Sequence, residues 1–406
     1  MKSKSKFMCS LPWIHSSIQP TGMSTVCCEA DHSDMKSYAY DHNAAGGIEV
    51  LSLANNTMAD MINSENYKHI RREMMQGNVP SACMTCFKTE QAGGTSKRQT
   101  HRTLSTNELT QTLDDGTITP DIEILELRLG NTCNLRCRTC NAESSSLWVN
   151  DYFELHKTLD FVGNYNELHK IRKHLVRDWF LDENFYKSLS DKITNLKELH
   201  ISGGEPWLIR QHTKMLKFVP DDTIISYHTN LNYDKETIMF MYNQLKDHKN
   251  VVINCSIDSI GDKLTYIRNP LNWDKAIENL NTIISLFPNT VICQTVSVLN
   301  FLDIDELYTY FKNNNITNRH YLNFADSPSY MSPYLIDSNI RKKTIDNLKQ
   351  ILPHDLVEPL NRYYNDIQHS SSTLTQFKQY TDGLDKIRNE QFGEMFPVLK
   401  DILWNS

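Results

Sequence analysis

Three cysteines sit on one short stretch, GNTCNLRCRTCN at residues 130–141, with three residues between Cys133 and Cys137 and two between Cys137 and Cys140. Three thiolates are an incomplete set for structural zinc, which is held in a closed shell of four ligands. A cubane iron–sulfur cluster held by three cysteines keeps one iron without a protein ligand, and that iron can take a substrate or cosubstrate. The stretch follows an alternating apolar run, residues 121–129, that reads as a strand, and it precedes a helix-compatible segment. On that reading Cys137 and Cys140 lie near a helix N-terminus, where the dipole favours thiolate.

A second set of thiols precedes the first, for eight of the ten cysteines fall in the first 140 residues. Cys9, one of the neighbours Cys27 and Cys28, and the C-x2-C pair Cys83 and Cys86 make a complete four-thiolate set. Of the two adjacent cysteines only one can readily point into a compact site. Read alone, this set suits structural zinc at least as well as iron–sulfur. Cys255 and Cys293 stand alone in apolar, strand-like runs and read as buried core thiols.

The elements that must position these groups follow from periodicity. Alternating apolar runs recur at residues 122–129, 196–202, 223–230, 251–258, 291–299 and 320–324, with helical periodicity between them at 210–218, 235–245, 273–286 and 304–311. Strands alternating with helices indicate parallel βα units, whose sites lie at the C-terminal strand ends. Polar residues collect at those ends. Ser202-Gly203-Gly204-Glu205-Pro206 closes the second run; its glycines let the backbone approach a ligand closely, and Glu205 can accept hydrogen bonds from an ammonium. The plain alternative is a turn. In the third run, period-two alternation puts Ser226, His228 and Asn230 on one face, with a lumen histidine as the ordinary reading of His228. In VVINCSID, Asn254, Ser256 and Asp258 share a face that is polar only towards its C-terminal half. Arg268 follows in LTYIRNP; its bidentate donors suit a carboxylate, and the bland reading is a surface helix residue.

Elsewhere the chain is less specific. A helix is expected at residues 58–75, a polar linker at 106–120, and an extra helical hairpin within 143–194 with its connection at 159–166. Residues 331–406 carry helical patterns at 339–352 and 392–403, no motif, and breaks at Pro353 and at 369–373; they read as helices packing on the strand-and-helix body or over its mouth.

At 406 residues the chain has room for one large domain and one or two smaller ones, and 39% hydrophobic content is enough for a buried core. A formal charge of −7 argues against nonspecific nucleic-acid binding, which needs a basic footprint. No apolar run reaches the ~18 residues of a membrane span. The start, MKSKSKFMCSLPW, has basic residues but no apolar core of a signal peptide. A cytoplasmic location is expected, and in a reducing compartment ten cysteines call for metal chemistry rather than disulfides.

CNLRCRTC resembles the C-x3-C-x2-C motif of the radical S-adenosylmethionine (radical SAM) enzymes. The resemblance implies a [4Fe-4S] cluster on Cys133, Cys137 and Cys140 whose open iron binds the amino and carboxylate groups of SAM. One electron then splits the sulfonium to a 5′-deoxyadenosyl radical that abstracts a hydrogen atom. Gly203, Gly204 and Glu205 resemble the family's GGE motif at the SAM amino group. Asn230 resembles the Asn of its Thr-Asn-Gly end, with Leu231 in place of glycine. Ser256 resembles the serine of its Ser-Leu-Asp, and Arg268 an arginine that approaches the SAM carboxylate. Thr139 stands where the family often has an aromatic residue.

The N-terminal order is also similar to a family module. A Cys-x2-Pro-Trp start is followed by Gly22, a Cys pair, a helix and ACMTCFKTEQAGGTSKR, as in the twitch or SPASM auxiliary-cluster domain, here ahead of the barrel rather than behind it. The resemblance implies an auxiliary iron–sulfur cluster on Cys9, Cys27, Cys83 and Cys86, with Cys27 preferred over Cys28 by its interval from Gly22. The implied fold class is α/β: an auxiliary domain at 1–105, the linker at 106–120, a partial (β/α)6 radical SAM barrel at 121–330 and a C-terminal helical extension at 331–406. The implied activity is a radical oxidoreductase or peptide-modifying enzyme. Its substrate would be a peptide or protein, with a small molecule or nucleotide left open, and its electron donor a flavodoxin or ferredoxin. No catalytic acid or base is assigned. The competing reading is a noncatalytic zinc- or iron–sulfur-binding interaction protein; the order of the motifs and the acidic charge argue against it.

Overall fold

The computed structural model describes residues 7–91, 95–101, 103–162, 179–181, 185–186, 189 and 192–405. The helical hairpin expected within 143–194, with its connection at 159–166, lies largely outside the described residues. The chain forms two compact units: Met1–Gly130 with Lys173–Ser226 and Gln244–Val251, and Asn131–Arg172 with Tyr227–Asn243 and Val252–Ser406.

The strands are β1 (His15–Ile18), β2 (Ser24–Thr25), β3 (Tyr40–His42), β4 (Ile48–Val50), β5 (Ile124–Leu129), β6 (Glu198–Gly203), β7 (Ile224–Thr229), β8 (Asn250–Ser256), β9 (Thr290–Val296) and β10 (His320–Phe324). An eight-stranded sheet runs β10-β9-β8-β7-β6-β5-β1-β2, and β3 pairs with β4 apart from it. β5 to β10 are the six runs expected from periodicity, with their ends shifted, and they follow one another in sheet order as successive βα units should. The fold is α/β with a largely parallel sheet: β1 with β5, β5 with β6, β8 with β9 and β9 with β10 all run parallel, and β1 with β2 antiparallel.

In the first unit the register explains the alternation. Leu125 and Leu127 of β5 stand opposite Leu199 and Ile201 of β6, all fully buried, while Glu126 and Arg128 stand opposite His200 and Ser202 on the other face. The N-terminal region joins this sheet through β1, which no reading of the sequence placed there. The expected helix at 58–75 is broken in two, Met58–Ile62 and Glu65–Gln76, because Ser64 caps the second by accepting from the Tyr67 amide. The segment expected as a linker folds. Ser105 and Glu108 form a capping box on a helix at Thr106–Gln111, and Leu109 and Thr112 are buried. Trp13 Nε1 donates to Thr112 Oγ1 at 2.9 Å and Arg71 Nε to the Gly116 carbonyl at 2.7 Å.

In the second unit the core joins Trp148 and Leu155 to Val298 and Phe301, and to Phe377, Leu384, Phe392 and Leu403 of the C-terminal segment. These last four belong to or follow an 18-residue helix, Ser371–Arg388, which starts inside the break expected at 369–373 because Ser370 caps it by accepting from the Thr373 amide. No helix among the described residues is long and apolar enough to cross a membrane.

Candidate functional site

The C-x3-C-x2-C loop is held closed by its own backbone and by two neighbouring segments of the second unit. The Ser146 amide donates to the Asn131 carbonyl at 2.7 Å and Asn131 Nδ2 to the Ala142 carbonyl at 3.1 Å. The amides of Arg136 and Arg138 donate to the carbonyls of Asn269 and Ile267, each at 2.7 Å. Trp148 Nε1 holds the Cys137 carbonyl and Tyr380 Oη the Arg138 carbonyl, both at 2.8 Å. The helix that follows begins only at Trp148. The helix N-terminus expected beside Cys137 and Cys140 is therefore absent, since Ser144 and Ser146 hold the intervening backbone in turns. Burial dominates instead. It pushes the Cys137 thiol up, and it pushes Cys140 up to about 12 with help from the charges of Cys137 and Cys133. Ligation, not a dipole, is what would make these thiols thiolates.

Around the loop the structure gathers two of the expected SAM-site residues. Asn230, at the end of β7, donates to Asn134 Oδ1 at 2.9 Å and lies 3.7 Å from Cys133 Sγ. Arg268 places Nη1 4.0 Å from Cys137 Sγ. Its Nε and Nη2 bind Asp258 at 2.7 and 3.0 Å, and Asp258 also accepts from the Thr295 amide at 2.8 Å. Asp258 is fully buried and was read from sequence only as part of a polar face. A carboxylate ten residues before an arginine carries no local signature of that pairing. Ser256 closes β8 two residues earlier, half-buried. Leu231, which replaces the family's glycine, keeps a left-handed backbone at φ 67°, a conformation costly for a side chain of its kind.

The GGE residues belong to the first unit. Gly203 has φ 136°, and a Cβ there would stand 2.7 Å from the Leu129 amide nitrogen. Its freedom is used against the end of β5, a reason independent of any ligand. The Gly204 amide donates to the Gly130 carbonyl at 3.3 Å. Glu205 is fully buried and its Oε1 accepts from the Trp207 amide at 3.1 Å, capping the short turn Pro206–Leu208.

The N-terminal thiols converge. Cys9, Cys27, Cys83 and Cys86 line one cavity with Leu11, Val26, Met74, Phe87 and Arg98. They come from a helix start, the loop after β2 and the turn leading to the helix Met84–Gln91. Burial pushes Cys9 up to about 11 and Cys83 up to about 12. Arg98 is held over the Phe87 ring at 4.5 Å and paired with Glu90, and it is the cation in the lining. Cys28 is not in that lining. Lys97 donates to its Sγ at 2.7 Å and to Glu126 at 2.9 Å. A hydrogen bond from Cys27, together with the Lys97 charge, holds Cys28 below the usual thiol range, while the same contact and burial raise Cys27. Four soft donors on an apolar wall fit an iron–sulfur cluster. Among the described residues, no three His, Cys, Asp or Glu side chains gather closely enough to hold a single metal ion. A multinuclear cluster needs no such gathering, because it spreads its thiolates over several irons.

Residues 9–87 match the family model of SPASM, an iron–sulfur cluster-binding domain. The N-terminal region is SPASM-like. The match begins on Cys9 and ends one residue past Cys86, so it takes in all four thiols of the cavity. No curated protein matches the chain. Solved structures similar to it include anSMEcpe with bound AdoMet and a Kp18Cys peptide, at 14% identity and a TM-score of 0.39, over 57% of this chain and 60% of that one. Another is SuiB of Streptococcus suis bound to its precursor peptide SuiA, at 13% identity and a TM-score of 0.33, over 82% of this chain and 64% of that one. The chain thus spans less than two thirds of the length of either.

Proposed function

We propose that the chain is a radical SAM enzyme of the SPASM/twitch kind that acts on a peptide. One cluster would be held by Cys133, Cys137 and Cys140 and an auxiliary one by Cys9, Cys27, Cys83 and Cys86. The observation that carries the reading is the placement of Asn230 and Arg268 at 3.7 and 4.0 Å from the thiols of Cys133 and Cys137, across 97 and 131 positions of sequence. When bound, the cluster and SAM supply hydrogen-atom abstraction. The chain's own residues bind and orient. Arg268, locked by Asp258, would offer its outer nitrogen to the SAM carboxylate; Glu205 would accept from the amino group; and Asn230 with Asn134 steadies the Cys133 end of the loop. Buried Trp148 and Tyr380 exclude water behind the loop. An auxiliary module of this kind accompanies peptide and protein substrates in the family resembled, which is the ground for the peptide. A flavodoxin or ferredoxin would deliver the electron.

Anaerobic reconstitution tests this with two variants. Cys137→Ala should lose 5′-deoxyadenosine production while keeping the auxiliary iron, about half the total, because the two sites share no ligand. Cys83→Ala/Cys86→Ala should lose the other half and melt at lower temperature, yet still cleave SAM without turning over peptide. Wild-type rates of SAM cleavage in Cys137→Ala would refute the first assignment. Full iron in the double variant, or stoichiometric zinc in the wild type, would refute the second.

A further inference from the structure

The C-terminal helix Ser371–Arg388 ends on a guanidinium that the fold buries without completing its bonds. The Arg388 side chain is 0% exposed; Nε donates to Asp151 Oδ2 at 2.8 Å, and neither Nη1 nor Nη2 has a hydrogen-bond partner. Its Cζ lies 4.9 Å from the centroid of the Trp148 ring, the ring whose Nε1 holds the Cys137 carbonyl. Asp151, itself almost wholly buried, also receives Arg136 Nη1 at 2.9 and 3.2 Å. One carboxylate therefore answers two guanidiniums, and the group keeps a net positive charge. The next loop arginine is arranged the other way. Arg138 stands between Asp385 and Glu390, each at 2.5 Å, so two carboxylates answer one cation. The excess positive charge is thus localised at Arg388, Asp151 and Arg136. Trp148 therefore stands between the Arg388 guanidinium and the Cys137 backbone.

Buried donors left without acceptors are costly, and each one kept in a folded protein calls for an explanation. We infer that Arg388 is a buried counter-charge for the cluster loop, setting how readily a cluster on Cys133, Cys137 and Cys140 accepts an electron. The inference rests on the cluster reading proposed above. Reduction adds one negative charge to a centre already carrying thiolates. A fixed cation in a low-dielectric surround favours the reduced form, and Asp151 tempers that effect. In general a unit charge about 10 Å from a redox centre, at an effective dielectric of about 20, shifts its equilibrium by a factor of about ten or more, which sets the scale expected here.

The test is a redox titration of the anaerobically reconstituted full chain, following the EPR signal that changes on adding SAM. Arg388→Met should lower the ratio of reduced to oxidised cluster about tenfold at a fixed poise, about 59 mV for one electron. Arg388→Lys should stay near the wild type, and Asp151→Asn should shift the ratio upward. A purely structural contact would weaken the fold in both charge variants without moving the two ratios in opposite directions. An unchanged ratio in Arg388→Met with its iron intact overturns the inference. If that variant takes up no iron, an unchanged or lowered ratio in Asp151→Asn overturns it. A wild type with no SAM-responsive signal overturns the cluster reading instead, so the two failures are distinct.

Discussion

Asp258→Asn isolates the device that aims Arg268. The carboxylate is fully buried and takes three bonds, from Arg268 Nε at 2.7 Å, Arg268 Nη2 at 3.0 Å and the Thr295 amide at 2.8 Å. Burial works against the Arg268 charge, and the Asp258 carboxylate beside it outweighs that, so the guanidinium stays charged. Asparagine keeps the shape but offers one acceptor oxygen and turns an N–H2 towards a donor. Breaking a buried ion pair by removing one partner costs about 3–5 kcal/mol. The retained oxygen can keep one bond to a charged donor, worth about 1.5–3 kcal/mol. The net loss is then about 2 kcal/mol, roughly a thirtyfold rise in the unfolding constant, against a total stability of about 5–15 kcal/mol. In anaerobic urea unfolding followed by tryptophan fluorescence, the midpoint should fall by about 1 M at a slope of about 2 kcal/mol/M. SAM affinity should fall by about tenfold or more, because the outer nitrogen of Arg268 is no longer held in place. Arg268→Lys should lose affinity similarly, since an ammonium cannot make the forked contact. Unchanged midpoint and unchanged SAM affinity in Asp258→Asn would refute the reasoning, because both acceptor oxygens that hold Arg268 come from this one carboxylate.

Two further outcomes separate structure from chemistry. Glu205→Gln keeps an acceptor for the Trp207 amide and removes the charge, so calorimetry should show about tenfold weaker SAM binding with an unchanged melting temperature; equal binding would leave Glu205 as a cap alone. His320 and His212 are pushed down to about 4 by burial. The unfolded chain takes up these protons near pH 6.5 and the folded chain does not, so the stability is complete above about pH 6.5 and is lost as pH falls towards 4, by up to about 3 kcal/mol per ring. His320→Phe should flatten the fall of the urea midpoint between pH 6.5 and 5; an unaltered slope would mean that ring is protonated in the folded state.

What was legible in the sequence and what was not divide along a physical line. The strands β5 to β10 could be read because a two-residue period is a local property, and Leu125, Leu127, Leu199 and Ile201 each announce a buried face within a few positions. The spacing of the loop thiols is likewise a local property, visible without the fold. The helix dipole at Cys137 was misread because helix-compatible composition says nothing of where the helix begins, and Asn141 takes the Ser144 amide into a turn first. The helix Ser371–Arg388 had signals that could have found it: a Ser370 cap accepting from the Thr373 amide, Asn389 in the left-handed region at its end, and Phe377, Tyr380 and Leu384 recurring on one buried face. Its task had none. Arg138 meets Asp385 and Glu390 across more than 240 residues, and Arg388 meets Asp151 across 237. Each of these charged residues reads locally as a solvated helix face, because the residue that desolvates it is far away in the chain. Motifs therefore name donors, while the groups that hold and charge the donors become visible only when distant segments are packed. The C-terminal segment, which carries no motif, supplies four of the side chains that hold the C-x3-C-x2-C loop or pair with the arginines around it: Tyr380, Asp385, Arg388 and Glu390.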